Sequence, residues 1–146
     1  YSIMVAIGDN SKRADHYLQA KTKGFATPSV IHPTAVVSND CVIEGGVFIN
    51  TSAIINAEAK IGENTIINSS AIIEHEVFVG KHSHIGPGVN IGGRTRVGKK
   101  TFIGIGTSVI DNVNIGTNVI IGAGSVIIDN VKNNDTVVGV PGRIIK

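Results

Sequence analysis

Residues 73–76 read Ile73-Glu74-His75-Glu76, an imidazole between two carboxylates. Histidine ionises near neutrality, so it can take a proton from an attacking group and hand it on. A carboxylate beside it can orient the ring and stabilise the imidazolium. The other histidines, His16, His32, His82 and His84, are not flanked in this way. From these residues alone, His75 is either a general base or a solvated histidine beside two unrelated acids. What decides between them is the framework that holds the segment.

That framework is a repeat. Every sixth residue from Ile31 to Ile127 is isoleucine or valine, seventeen in succession. The residue four places after each is small or β-branched, as at Ala53, Thr65, Ser83 and Thr107, or is the single Cys41. A hexapeptide period is the mark of a parallel β-helix. The small residue, its successor and the next aliphatic point inward, outward and inward, the alternation of a strand. The three residues between must turn a corner, and they are rich in Gly, Asn, Asp and Ser, as turns require. Three hexapeptides close a triangular coil of eighteen residues, and seventeen give between five and six coils.

The register assigns places to the chemistry. His75 is the second of three corner residues, with a carboxylate near it however the corner folds. His84 points outward from a strand, stacked between Ile66 and Phe102. His82 falls in a turn, and His16 and His32 lie outside the regular coils; these read as surface or structural. Cys41 stands at an inward position and reads as a core residue. Gly86-Pro87-Gly88, Gly104-Ile105-Gly106 and Gly122-Ala123-Gly124 recur at one corner, eighteen residues apart.

The outward residues sort by face. One face carries Phe48, Ile66, His84, Phe102 and Ile120. Another carries Val36, Ile54, Ile72, Asn90, Ser108 and Val126. The third carries Val42, Lys60, Phe78, Arg96, Asn114 and Lys132. Two long apolar faces on one monomer are a liability in water. A cyclic trimer sets two different faces of each subunit against two neighbours, so a homotrimer is expected.

Composition narrows the rest. The net charge of +2 is too small to argue for nucleic acid, and neither a basic tract nor an aromatic platform stands out. No apolar run reaches membrane-spanning length, no leader is recognisable, and one cysteine permits no internal disulfide. A cytoplasmic location is the simplest expectation. Ile3 to Ile7 reads as a strand, Gly8-Asp9-Asn10 as a turn, and Lys12 to Lys23 as a helix capped by Ser11. Residues 1–30 thus read as the C-terminal part of a truncated α/β substrate-binding domain, residues 31–132 as the β-helix, and residues 133–146 as a cap over its open end.

The Ile/Val hexapeptides, Ile73-Glu74-His75-Glu76 with the following Gly80 and His84, and the closing Gly139-Val140-Pro141 resemble the left-handed β-helix acyltransferases. Within them the chain is most similar to sugar acetyltransferases acting on UDP-linked amino sugars or sialic acid. The left-handed sense comes from the resemblance alone. Ala6-Ile7-Gly8-Asp9-Asn10 with Arg13 resembles the end of that family's nucleotide-sugar domain, whose earlier strand and Gly-rich loop are not in this sequence. Gly142 stands where the family more often has Ala. The resemblance implies His75 as base, Glu76 as its orienting carboxylate, and His84, Ile105 and Ala123 as contacts of acetyl-CoA. It implies Gly8, Asn10 and Arg13 for the sugar nucleotide. Lys132, Arg143 and Lys146, or Arg94, Arg96, Lys99 and Lys100, are basic groups for the phosphates of CoA.

The expected activity is therefore acetyl transfer from acetyl-CoA to the amine of a UDP-linked sugar, at a site shared between subunits of the trimer. O-acetylation of sialic acid is the same-class alternative. A metal-dependent hydratase and a non-catalytic trimer are the others. The histidine spacing does not supply the three converging ligands that zinc would need, and no metal is expected.

Overall fold

In the computed structural model, which describes residues 1–146, a strand forms at every hexapeptide. Seventeen two-residue strands run at six-residue spacing from β1 (Val30–Ile31) to β17 (Val126–Ile127). Each pairs in parallel with the strand one coil away, so that Val30 faces Phe48 and Ile31 faces Ile49. Strands eighteen residues apart therefore stack into three sheets around one tube. The outward columns are those expected from the sequence. The first face includes β10 (His84–Ile85), the second β8 (Ile72–Ile73) and the third β9 (Phe78–Val79).

The core is the inside of the tube. Ile49, Ile67, Ile85, Ile103 and Ile121 form one fully buried column. They belong to a single cluster of 24 buried apolar side chains, each contributing about 1.5–3 kcal/mol gross. Buried hydroxyls are satisfied across coils. Thr65, Ser83, Thr95, Thr101 and Thr107 each donate to a carbonyl fifteen residues ahead, which removes the penalty of enclosing a polar group.

The corners follow one rule. From Gly46 to Gly124, the third corner residue always has positive φ, whether it is Gly88, Asn64, His82 or Glu76. Left-handed backbone is unfavourable for a residue with a Cβ. From Asn64 onward it aims each N–H at a carbonyl of the preceding coil: Glu76 donates to the Ala57 carbonyl, and Arg94 to that of His75, both at 2.9 Å. The inter-coil bond offsets the local strain.

The two ends differ. Beyond β17, β18 (Thr136–Val138) joins the first sheet and pairs antiparallel with β19 (Arg143–Ile144). This hairpin buries Val137 and closes the last coil. At the other end β1, β2 (Val36–Val37) and β3 (Val42–Ile43) are sheet edges. Ile31, although inward-facing, is 44% exposed.

The N-terminal stretch departs from expectation in two places. Ile3 to Ile7 forms no strand, because backbone pairing is confined to its start: Ser2 bridges Ala26 and Ile3 donates to the Ala26 carbonyl. The helix α1 (Asn10–Thr22) begins two residues early and is capped by Asp9, not Ser11, with the Asp9 carboxylate accepting from Lys12 N. No helix is long and apolar enough to cross a membrane.

Helix α1 lies along the edge between the third and first faces. Its fastening is Arg13, which is buried. The guanidinium donates to the carbonyls of Ile7, Gly8, Asn64, His82 and Ser83 and to Asn10 Oδ1. Burial lowers its pKa to about 10, against the pull of Asp9, so it stays charged at neutral pH. Tyr17 plugs the same edge. A Cβ on Gly46 would stand 2.4 Å from its ring, so glycine is required there by space as well as by its φ of 70°.

Candidate active site

His75 sits where the register put it, at the corner between β8 and β9. The left-handed turn at Glu76 folds that carboxylate back onto the ring. Glu76 Oε2 lies 3.0 Å from His75 Nδ1, with both side chains about half exposed (47% and 49%). A carboxylate accepts, so in the neutral ring Nδ1 carries the proton and Nε2 keeps the free lone pair. One coil on, Gly93 lies beneath the ring. A Cβ there would stand 2.6 Å from Nε2 and 2.7 Å from Cε1. Gly93 does not have positive φ, so the imidazole, not the backbone, requires its bareness. The arrangement can accept a proton at Nε2 while Glu76 stabilises the resulting cation. Glu74 makes no hydrogen bond to His75 through its side chain.

His84 stands on the first face, edge-on to Phe102 with ring centroids 5.3 Å apart. Its Nε2 is 3.2 Å from Asn68 Nδ2, and its Nδ1 is buried with no protein partner. Burial pushes the ring's pKa below the ordinary value; the Gly8 carbonyl opposes this and Arg13 adds to it. In a three-sided tube, the edge bearing His75 is opposite the face bearing His84. The two rings of one chain therefore point away from each other.

The N-terminal residues gather above that same face. Gly8, Asp9, Asn10, Ser11, Lys100, Phe102, Asn118 and Ile120 line a groove of about 330 Å³. Asn10 Nδ2 is turned into the coil, bonded to the carbonyls of Lys100 and Thr101. Arg13 is buried with its donors committed to protein oxygens, whereas Gly8 has open space on its Cα. Ile105 and Ala123 are exposed on the edge between the first and second faces. There Gly104 and Gly122 allow the coils to close: a Cβ on Gly104 would stand 2.6 Å from Ala123 N.

His82, expected at a surface or in a structural role, is buried. Its Nδ1 is 2.8 Å from Asn64 Nδ2, and Tyr17 meets it edge-on. Burial lowers its pKa, with Glu63 opposing and Lys81, Lys100 and Arg13 adding to the shift. Sequence reading missed Gly93, Asn68 and the Arg13 clamp. The eighteen-residue spacing could have found Gly93, one coil below His75.

Comparisons with known proteins agree with this architecture. The profile of the bacterial transferase hexapeptide (six repeats) matches residues 94–129. A search of curated sequences gives no match. Among solved structures, a mutant perosamine N-acetyltransferase of Caulobacter crescentus is 36% identical with a TM-score of 0.97, and PerB of the same organism, in complex with CoA and GDP-perosamine, is 37% identical with a TM-score of 0.97. The alignment covers 98% of this chain and 69% of that one. The acetyltransferase domain of PglB from Neisseria gonorrhoeae, in complex with acetyl coenzyme A, is 32% identical with a TM-score of 0.97, over 99% and 70% of the two chains. WeeI from Acinetobacter baumannii, 23% identical with a TM-score of 0.96 over 99% and 70%, shares the fold. With a relative at 37% identity spanning nearly its whole length and an uninterrupted hexapeptide tube, the chain belongs to the hexapeptide-repeat sugar N-acetyltransferases.

Proposed function

We propose that this acetyltransferase moves the acetyl group of acetyl-CoA onto the amine of a nucleotide-linked amino sugar, with His75 as general base. The sugar amine attacks the thioester carbonyl carbon, and His75 Nε2 takes the proton that the nitrogen sheds. The tetrahedral intermediate collapses, the carbon–sulfur bond breaks, and the CoA sulfur receives the proton. Glu76 holds the ring and stabilises its cation. The observation that carries this reading is the His75–Glu76 pair at 3.0 Å, with Nε2 left free over a bare Gly93. An amine is favoured over a hydroxyl because the relatives above 30% identity include a named N-acetyltransferase.

The working unit is a homotrimer. Phe48, Ile66, Phe102 and Ile120 on one face and Val36, Ile54, Ile72 and Val126 on another need partners. Because His75 and His84 of one chain point apart, the site combines His75 of one subunit with His84 of its neighbour. Acetyl-CoA lies in the cleft between them, along the edge of Ile105 and Ala123. The sugar nucleotide occupies the groove at Gly8 and Asn10, and Arg13 holds that groove's wall.

The test is thiol release from acetyl-CoA with a panel of UDP- and GDP-linked amino sugars and with free sialic acid. The expected result is turnover with one nucleotide-linked amine and loss of about 10²–10⁴-fold in kcat for His75→Ala. Turnover only with sialic acid, or none with any acceptor, would overturn the proposal.

A further inference from the structure

Two asparagines occupy one corner position in successive coils, and their amides run along the tube toward His84. Asn50 Oδ1 accepts from Thr51 N, and Asn68 Oδ1 accepts from Ser69 N, both at 2.8 Å. A backbone N–H can only donate, so it fixes which amide atom is oxygen. Asn50 Nδ2 then donates to Asn68 Oδ1 at 3.0 Å. This leaves Asn68 Nδ2 facing His84 Nε2 at 3.2 Å. An amide nitrogen is also only a donor, so Nε2 must present its lone pair. The proton of the neutral ring belongs on Nδ1, the atom enclosed without a protein partner.

We propose that the Asn50–Asn68 ladder is a positioning device that holds His84 as its neutral Nδ1–H tautomer. Protonating Nε2 would set one N–H against another. His84 therefore donates through Nδ1 and takes no proton at Nε2, which leaves His75 as the one base of each site. This assignment of the second role rests on the acetyl-transfer reading; the tautomer does not. Arg13 of α1 is the charged group that faces the ring, and it too resists a second positive charge. Phe102, which packs on the ring, carries no charge.

The experiment is long-range ¹H–¹⁵N correlation on the intact protein labelled at histidine, with His84→Gln assigning the signals. Wild type should give His84 protonated on Nδ1, titrating below the ordinary histidine range. Asn68→Asp keeps the oxygen that Ser69 and Asn50 use but offers His84 an acceptor. The proton should move to Nε2 and the ring should titrate at higher pH. Asn50→Asp, which leaves Asn68 in place, should turn the Asn68 amide and populate the Nε2–H form at a distance. An Nε2–H ring in wild type, or an unchanged spectrum in both variants, overturns the ladder. Thiol release assayed on the same samples separates the two claims. A wild-type ring protonated on Nε2 in an enzyme that still turns over sinks only the ladder, and a correct tautomer without turnover on any sugar sinks only the acetyl-transfer reading.

Discussion

The ring of His75 rests on Gly93, one coil below it, so closely that a single added carbon would stand 2.6 Å from Nε2. The contact lies between the atom proposed to take the proton and a residue with no side chain of its own. Gly93 does not have positive φ, so alanine fits its backbone. Gly93→Ala should leave the melting temperature nearly unchanged and tilt the imidazole. A misplacement of about 1 Å can cost about 10²-fold in rate. Steady-state kcat beside a thermal melt checks this, and full activity in the variant would disconnect the seat from catalysis.

Arg13 should matter to folding as well as to the groove whose wall it holds. Its truncation leaves the carbonyls of Ile7, Gly8, Asn64 and His82 without donors, and that of Ser83 with only Ile66 N. Hydrogen bonds to a charged donor contribute about 1.5–3 kcal/mol net. Arg13→Ala should therefore lower stability by about 3 kcal/mol, and the melting temperature by roughly 6–12 °C for a chain of this size. Arg13→Lys, with the charge but not the planar fork, should recover only part of the loss. Calorimetry decides; a shift within error would mean that α1 is held by Tyr17 and Asn10 alone.

Stability should fall on the acid side. His82 and His84 both have pKa values below the ordinary 6.5, chiefly through burial. The unfolded chain then binds protons that the folded chain refuses. Their contribution is complete above pH 6.5 and is lost as the pH falls from there toward the folded values. Denaturant midpoints measured between pH 7.5 and 5 should show this slope. His82→Asn, which suits the left-handed φ of 61°, should flatten it; an equally steep slope would assign the effect elsewhere.

Subunit mixing addresses the shared site. His75→Ala and His84→Ala homotrimers should each be impaired. Co-refolded at equal ratio, they should regain activity, because roughly a quarter of the interfaces in a random ring unite two intact histidines. Mixtures no better than the average of their parents would place both rings in one subunit's site.

The tube was legible because its information is one-dimensional. A period of six, held from Ile31 to Ile127, fixes strand, corner, inward column and outward face at once, and the strands fall on the expected residues. His75 and Glu76 were legible for the same reason, as neighbours in one corner. The stretch before Ile31 has no repeat. There the outcome turned on which backbone met which side chain in space: Asp9 capped the helix, Ile3 to Ile7 found almost no pairing, and Arg13 reached carbonyls up to seventy residues away. The Asn50–Asn68–His84 ladder also joins distant residues, and its meaning depends on which amide atom faces which ring atom, a matter of orientation that letters do not encode.

The unequal ends give the molecule a direction. In stacked repeats each layer leans mainly on its neighbours, and the layer at Ile31, Val37 and Ile43 leans on only one. Fraying should start there and climb layer by layer, while the hairpin around Val137 keeps the far end shut. Amide exchange should accordingly be fastest at Val37 and Ile43 and slowest near Ile85 and Ile103. His75, two full turns in from the loose rim, would keep its geometry through fluctuations that unravel the first turn.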